Sequence, residues 1–183
     1  MGKKVISFGL SEQDIDRALK ELEQYKQEII QKTNLLRKKV AERLADESKS
    51  GFAQAVSDTI VLKGGSVVDL HSQVDVSVDY SRDNNVTVVI ANNKDNNAVW
   101  IEFGSGVYYN GSPGTSPHPS GAELGFVIGG YGDGNGRKKV WGYKDKTTGK
   151  LILTHGAPTA MPMSKAITTV CNEISDIAKE VFG

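Results

Sequence analysis

Glu102 stands in the most unusual chemical setting of the chain, with Trp100, Ile101 and Phe103 around it. An apolar pocket is where enzymes place a carboxyl group for general acid–base work, but such work needs a partner in reach. The sequence offers none nearby. The plainer reading is a charge-assisted hydrogen bond from backbone N–H groups or from an Arg or Lys. It would fix the path into the turn Gly104-Ser105-Gly106. The three histidines, His71, His118 and His155, lie far apart and match no H-E-x-x-H or H-x-E…C-x-x-C pattern. His118 sits between Pro117 and Pro119, which predicts a stiff exposed turn, and His155 follows a strand and precedes Gly156. These read as ordinary hydrogen-bonded histidines, so no metal site is expected. The single cysteine, Cys171, excludes an intrachain disulfide and a Cys-based metal site. Its place beside the apolar stripe of the last helix marks a buried or flanking structural thiol. No G-x-S-x-G nucleophile elbow occurs.

The stretch Gly129 to Lys139 (GGYGDGNGRKK) invites a phosphate-cradle reading, yet it contains neither G-x-x-x-x-G-K-[ST] nor G-x-G-x-x-G. Asp133 and Asn135 space like the start of a calcium loop, but Arg137 occupies the third ligand position. A surface loop is the expectation, with no cofactor. The balance of charge points the same way. Lys+Arg and Asp+Glu both number 22, so the chain lacks the basic surplus of a protein that neutralises phosphates. Of the local clusters, Arg37-Lys38-Lys39 alternates with acids along a helix and reads as a solvated face. Arg137-Lys138-Lys139 lies in a loop and is more open to interpretation. Sequence-specific nucleic-acid binding is not expected.

These groups need elements to hold them. The chain has 183 residues, enough for one domain with an appendage and a sizeable core. Its apolar share is 38%, and glycine is frequent at 20 residues, which suggests a compact core with long polar loops. The N-terminus, MGKKVISFGL, has too short an apolar run for a signal peptide, and Ile6 breaks the myristoylation pattern. No run of about 18 apolar residues exists. A soluble protein made in a cytoplasm is expected, without a membrane partner.

Ser11 with Asp14 three residues on approximates a capping box, and Glu12, Asp14 and Asp16 suit a helix N-terminus. Ile15, Leu22, Ile29 and Leu36 recur at sevens, with Leu19, Thr33 and Val40 offset; Lys26 and Arg43 interrupt the stripe. With no Gly or Pro before Gly51, the helix reaches ~50 Å. It either lies across the sheet of its own domain or projects onto neighbouring subunits. Gly51 to Leu62 reads as a second helical piece or as strand. The division is therefore an N-terminal region, 1–50, and a core domain, 51–183.

Within the core, Val74, Val76, Val78 and Tyr80 alternate with Asp75, Ser77 and Asp79, the pattern of a half-buried strand. Val86, Val88 and Ile90 resume the alternation after a turn, giving an antiparallel hairpin. Ala98 to Phe103 fits a short helix or a strand end. Residues 105–137 have no period. They hold prolines, many glycines and the rings of Tyr108, Tyr109, Phe126 and Tyr131. Loops of that length are usually functional or disordered, and Tyr among Gly and Ser suits adaptable protein recognition. Lys138–Tyr143 and Leu151–Leu153 flank a hairpin connection. Met163, Ile167, Val170, Ile174, Ile177 and Val181 follow 4-3-4-3-4 spacing, a single apolar helix face, with Pro162 in the first turn.

Two of these stretches, taken together, resemble the tail-completion family of long-tailed bacteriophages, also called neck, head–tail joining or minor tail proteins. Ile101-Glu102-Phe103-Gly104-Ser105-Gly106 is similar to that family's VEFGTG-like patch. Gly156 to Ala166, with Pro158, Pro162, Met163 and Ala166, is similar to its later G-x-x-P-x-P/F-M-x-x-A patch. The chain departs from the pattern in Ala160-Met161, where an aromatic is common, and in its long N-terminal helix. The resemblance spans Val74 to Val181. It implies an α+β fold, with a small antiparallel sheet packed by the long N-terminal helix and the amphipathic C-terminal helix. It implies a structural protein of a phage or prophage virion, without catalysis, that forms a homo-oligomeric ring at the head–tail junction or tail end and contacts connector and tail proteins. Trp100, Glu102, Phe103, Gly104, Gly106, Tyr108, Tyr109, Phe126, Tyr131, Pro158, Pro162 and Met163 are then interface or structural residues. The alternatives are a helix-tethered adaptor and a hydrolase using His118 or His155 with Glu102.

Overall fold

The computed structural model describes residues 5–6, 8–55, 74–81, 86–92, 97–104, 116–127, 141–144, 148–154 and 159–183. Among them the order is α1 (Glu12–Gln54), β1 (Asp75–Asp79), β2 (Val88–Asn92), α2 (Asn97–Phe103), β3 (Trp141–Lys144), β4 (Leu151–Thr154) and α3 (Pro162–Phe182). The class is α+β. Each strand pair is a two-stranded antiparallel sheet, β1 with β2 and β3 with β4.

α1 is a single helix of 43 residues, roughly 65 Å long. Ser11 opens it: the Ser11 hydroxyl oxygen accepts the Asp14 N–H at 3.2 Å and donates to the Asp14 carboxylate at 2.6 Å. Gly51 does not end it, contrary to the expected break there. The helix crosses that position and closes at Ala55, whose N–H donates to Phe52 O at 3.3 Å. Gly51 serves another purpose. A Cβ placed there would lie 2.9 Å from Pro162 Cβ and 3.2 Å from Pro162 Cα, so glycine lets α3 approach α1 closely.

α3 runs antiparallel to the second half of α1. Gly51 meets Pro162, Arg43 meets Glu173, and Lys39 meets Glu180. The Arg43 guanidinium donates to both Glu173 oxygens, at 2.8 and 3.0 Å, and reaches Glu47 at 2.6 Å. The Glu173 bond holds Arg43 above its ordinary range, and Arg43 in turn holds the Glu173 carboxyl below its own. A break in the apolar stripe of α1 is thus matched by a carboxylate on α3. Ser48, fully buried, donates its hydroxyl to Leu44 O at 2.7 Å. The buried positions of α3 are Pro162, Ala166, Val170 and Val181. Ile167 and Ile174 remain 49% and 44% exposed, so the packed face is rotated from the one read in the sequence. The six-residue stripe has two edges, and the close contact at Gly51 selects the edge carrying Ala166.

The β1–β2 hairpin covers another side of α1. Ala45, Phe52, Ala55, Val76, Ala98 and Ile101 form the core, with Val74, Val78, Val89, Ala91, Ala160 and Met163 packed on it. β1 keeps the expected inward Val76 and Val78. In β2 the phase differs: Val76 pairs with Ala91 and Val78 with Val89, so Val89 and Ala91 face inward while Ile90 is 37% exposed. Residues 88–91 are all apolar, and only the register with β1 decides which alternate pair is buried. α2 resolves as helix and sits between β2 and the start of α3. No helix among the described residues is long and apolar enough to cross a membrane.

Candidate functional site

α2 delivers Glu102 to the N-terminus of α3. The residue is 6% exposed. Its Oε2 accepts the Met163 N–H at 2.8 Å and its Oε1 accepts the Ser164 N–H at 2.9 Å. A helix leaves its first N–H groups without intrahelical partners and carries positive dipole charge there. The residue at the N-cap, Met161, offers no side-chain acceptor and adopts left-handed backbone, φ 56° and ψ 45°. The carboxylate that satisfies α3 therefore comes from another element.

The third donor is His118. Its Nε2 lies 3.1 Å from Glu102 Oε1, while its Nδ1 accepts the Ser120 N–H at 3.0 Å. An Nδ1 that accepts leaves the proton on Nε2, so the neutral ring donates to Glu102. Pro117 and Pro119 are exposed, as expected of that turn, but the His118 side chain between them is 10% exposed and tucked against α2. The ring is also tilted onto Phe103, with centroids 4.3 Å apart.

The surrounding segments are tied to the same spot. Gly104 ends α2 in left-handed backbone, φ 75°, and its N–H donates to Trp100 O at 2.8 Å. The freed Phe103 carbonyl accepts the Thr159 hydroxyl at 3.0 Å and also the Ser116 hydroxyl. The Ala160 N–H donates to Ile101 O at 3.0 Å. Residues 116–127 fold into a closed turn, with Ser116 N–H to Phe126 O and Phe126 N–H to Gly121 O, both 2.8 Å. The Phe126 ring stacks on Phe103 with centroids 4.0 Å apart and meets Trp100 edge-on at 6.1 Å. Phe126 is 4% exposed. It is a wall of this cluster and cannot serve as an exposed recognition ring, because its stacking on Phe103 fills the space beside α2.

The structure thus brings together Trp100, Glu102, Phe103, Gly104, Phe126, Pro162 and Met163. Gly106, Tyr108, Tyr109, Tyr131, Pro158, His71, His155 and the Arg137 cluster lie outside the described residues. Cys171 is exposed on α3, so of the two readings of this thiol, flanking holds and buried does not. Sequence reasoning paired His118 with Glu102 only as one option of the hydrolase alternative, and it missed Ser116 and Thr159 as the donors to Phe103 O. The signal present was chemical only: a proline-locked histidine and a buried-type carboxylate, each needing a partner. Among the described residues no group of three His, Cys, Asp or Glu side chains is placed to hold a metal ion.

Chemically, the arrangement is a closed lock. Both Glu102 oxygens and both His118 ring nitrogens are engaged. As placed, His118 has no free nitrogen to take a proton from a nucleophile, and Glu102 already carries three donors. No protein-family model, no curated protein and no solved structure matches this chain.

Proposed function

We propose that this chain is a structural component of a phage or prophage virion, a tail-completion or head–tail joining protein acting through protein–protein contacts. One observation carries the proposal. The two stretches that bear the resemblance, about fifty residues apart in the chain, meet as one unit. Glu102 caps Met163 and Ser164, Ile101 O accepts the Ala160 N–H, and Phe103 O accepts the Thr159 hydroxyl. These contacts join the two stretches that the resemblance pairs, which supports reading them as one structural unit.

In this reading the protein is not an enzyme. It assembles as a homo-oligomeric ring at the head–tail junction or tail end, with connector and tail proteins as neighbours, after synthesis in a host bacterial cytoplasm. The 107–137 loop supplies part of the contact surface. A hydrolase built on His118 and Glu102 starts from a true contact of 3.1 Å, but the same carboxylate is engaged by the Met163 and Ser164 N–H groups of α3.

The test is genetic and visual. With the gene disrupted, induced cells should yield filled heads and tails that fail to join, or tails with unfinished ends, by electron microscopy. Normal numbers of intact infectious particles would overturn the proposal. Portal, capsid and tail-tube genes beside this one are the matching expectation at the genome level.

A further inference from the structure

α3 stops well short of the start of α1. Its last residues lie beside Lys32 and Lys39: the Lys32 ammonium sits 6.0 Å from the Phe182 ring centroid, and Lys39 bonds Glu180 at 2.8 Å. Residues 12–31 therefore continue past the end of α3 for about 30 Å. Only Ala18 is buried in this half. Ile15, Leu19, Leu22 and Ile30 are 41%, 58%, 50% and 44% exposed, on a stripe that continues the seam α3 covers farther along. Its ion pairs, Arg17–Asp14 and Lys26–Glu23, join residues one turn apart. Most helical stability in water comes from packing of an apolar face.

The charges along α1 say what fits there. Residues 12–16 hold Glu12, Asp14 and Asp16 and no cation, whereas residues 37–39 are Arg37, Lys38 and Lys39. Parallel pairing of two copies would set acid on acid and base on base. Antiparallel pairing sets each acidic turn beside the other's basic band and lays the two apolar stripes together. We infer that a second copy of this chain covers residues 12–31, its α1 antiparallel, with the twofold axis near Tyr25. Leu22 of each copy then packs near Ile29 and Ile30 of the other. Lys38 and Lys39 already face Glu42 at 3.8 Å and Glu180 at 2.8 Å. The partner's acids join these rim networks, which set orientation more than affinity. This twofold contact is separate from the rotational contacts of the proposed ring and does not rest on them.

The test uses the full chain carrying Cys171→Ser, so that one introduced cysteine reports. Under mild oxidation Tyr25→Cys should give a disulfide-linked dimer and Ile15→Cys should not, since antiparallel copies place residue 15 about 30 Å from its mate. Crosslinking of both means parallel pairing and overturns the inference, as does any pattern without the Tyr25→Cys dimer. Sedimentation of the Leu19→Asp, Leu22→Asp double variant should show the dimer dissociation constant raised roughly 100-fold or more. Unchanged association, with α3 and the hairpin intact by circular dichroism, removes α1 as the surface. A virion phenotype for the disrupted gene would stand in either case.

Discussion

Glu102 and Met161 divide between them what one N-cap residue ordinarily does. Met161 supplies the backbone position before α3, in left-handed conformation and without a side-chain hydrogen bond. Glu102, sixty-one residues before Met163, supplies the acceptor at 2.8 Å. A cap built this way ties the start of α3 to the end of α2, so helix capping becomes a tertiary contact.

Glu102→Ala should therefore destabilise the fold by about 3 kcal/mol. That is the loss of a cap with two charge-assisted bonds that leaves buried donors unpaired. Glu102→Gln, keeping shape and one acceptor, should fall between. Chemical denaturation measures both, and a Glu102→Ala protein within about 0.5 kcal/mol of the parent contradicts the capping role.

His118 should be the Nε2–H tautomer in the folded protein. Long-range nitrogen–proton NMR on the imidazole ring distinguishes the two nitrogens directly. A protonated Nδ1 with a bare Nε2 would refute the hydrogen-bond scheme around Glu102.

Gly51→Ala tests the α1–α3 approach. Helix propensity alone favours alanine by up to about 1 kcal/mol. Against that, the new methyl lies within 2.9–3.2 Å of Pro162, where overpacking costs about 1–3 kcal/mol. Net destabilisation is expected, with a lower melting temperature. A stabilised variant would show that α3 is not held this closely.

The Arg43–Glu173 pair gives a pH signature. Arg43 lowers the Glu173 carboxyl below its ordinary value of 4.5, so the folded state binds that proton less readily than the unfolded chain. The pair's contribution is then complete above that value and disappears as pH falls through the lowered one. Denaturation of wild type and Glu173→Gln between pH 3 and 7 should show a constant gap above about pH 5 that narrows in acid. A gap that widens on acidification reverses the sign and excludes the pair as its source.

The periodic elements were legible in the sequence because each is written in neighbouring residues. The Ser11 cap, the long stripe of α1, the inward valines of β1, the β3–β4 hairpin and the Pro162 start of α3 all depend on local spacing. The site was legible only in part. Glu102 announced its need for donors by its apolar neighbours, but not which donors would come. The His118 ring, the Met163 and Ser164 amides and the Phe126 stack reach it from 16 to 62 residues away. Tertiary structure alone decided those pairings, along with the phase of β2 and the continuity of α1 through Gly51. Local pattern records which side chains want burial. Which surface buries them depends on register and on how closely two backbones can approach, and both are set between elements distant in the chain.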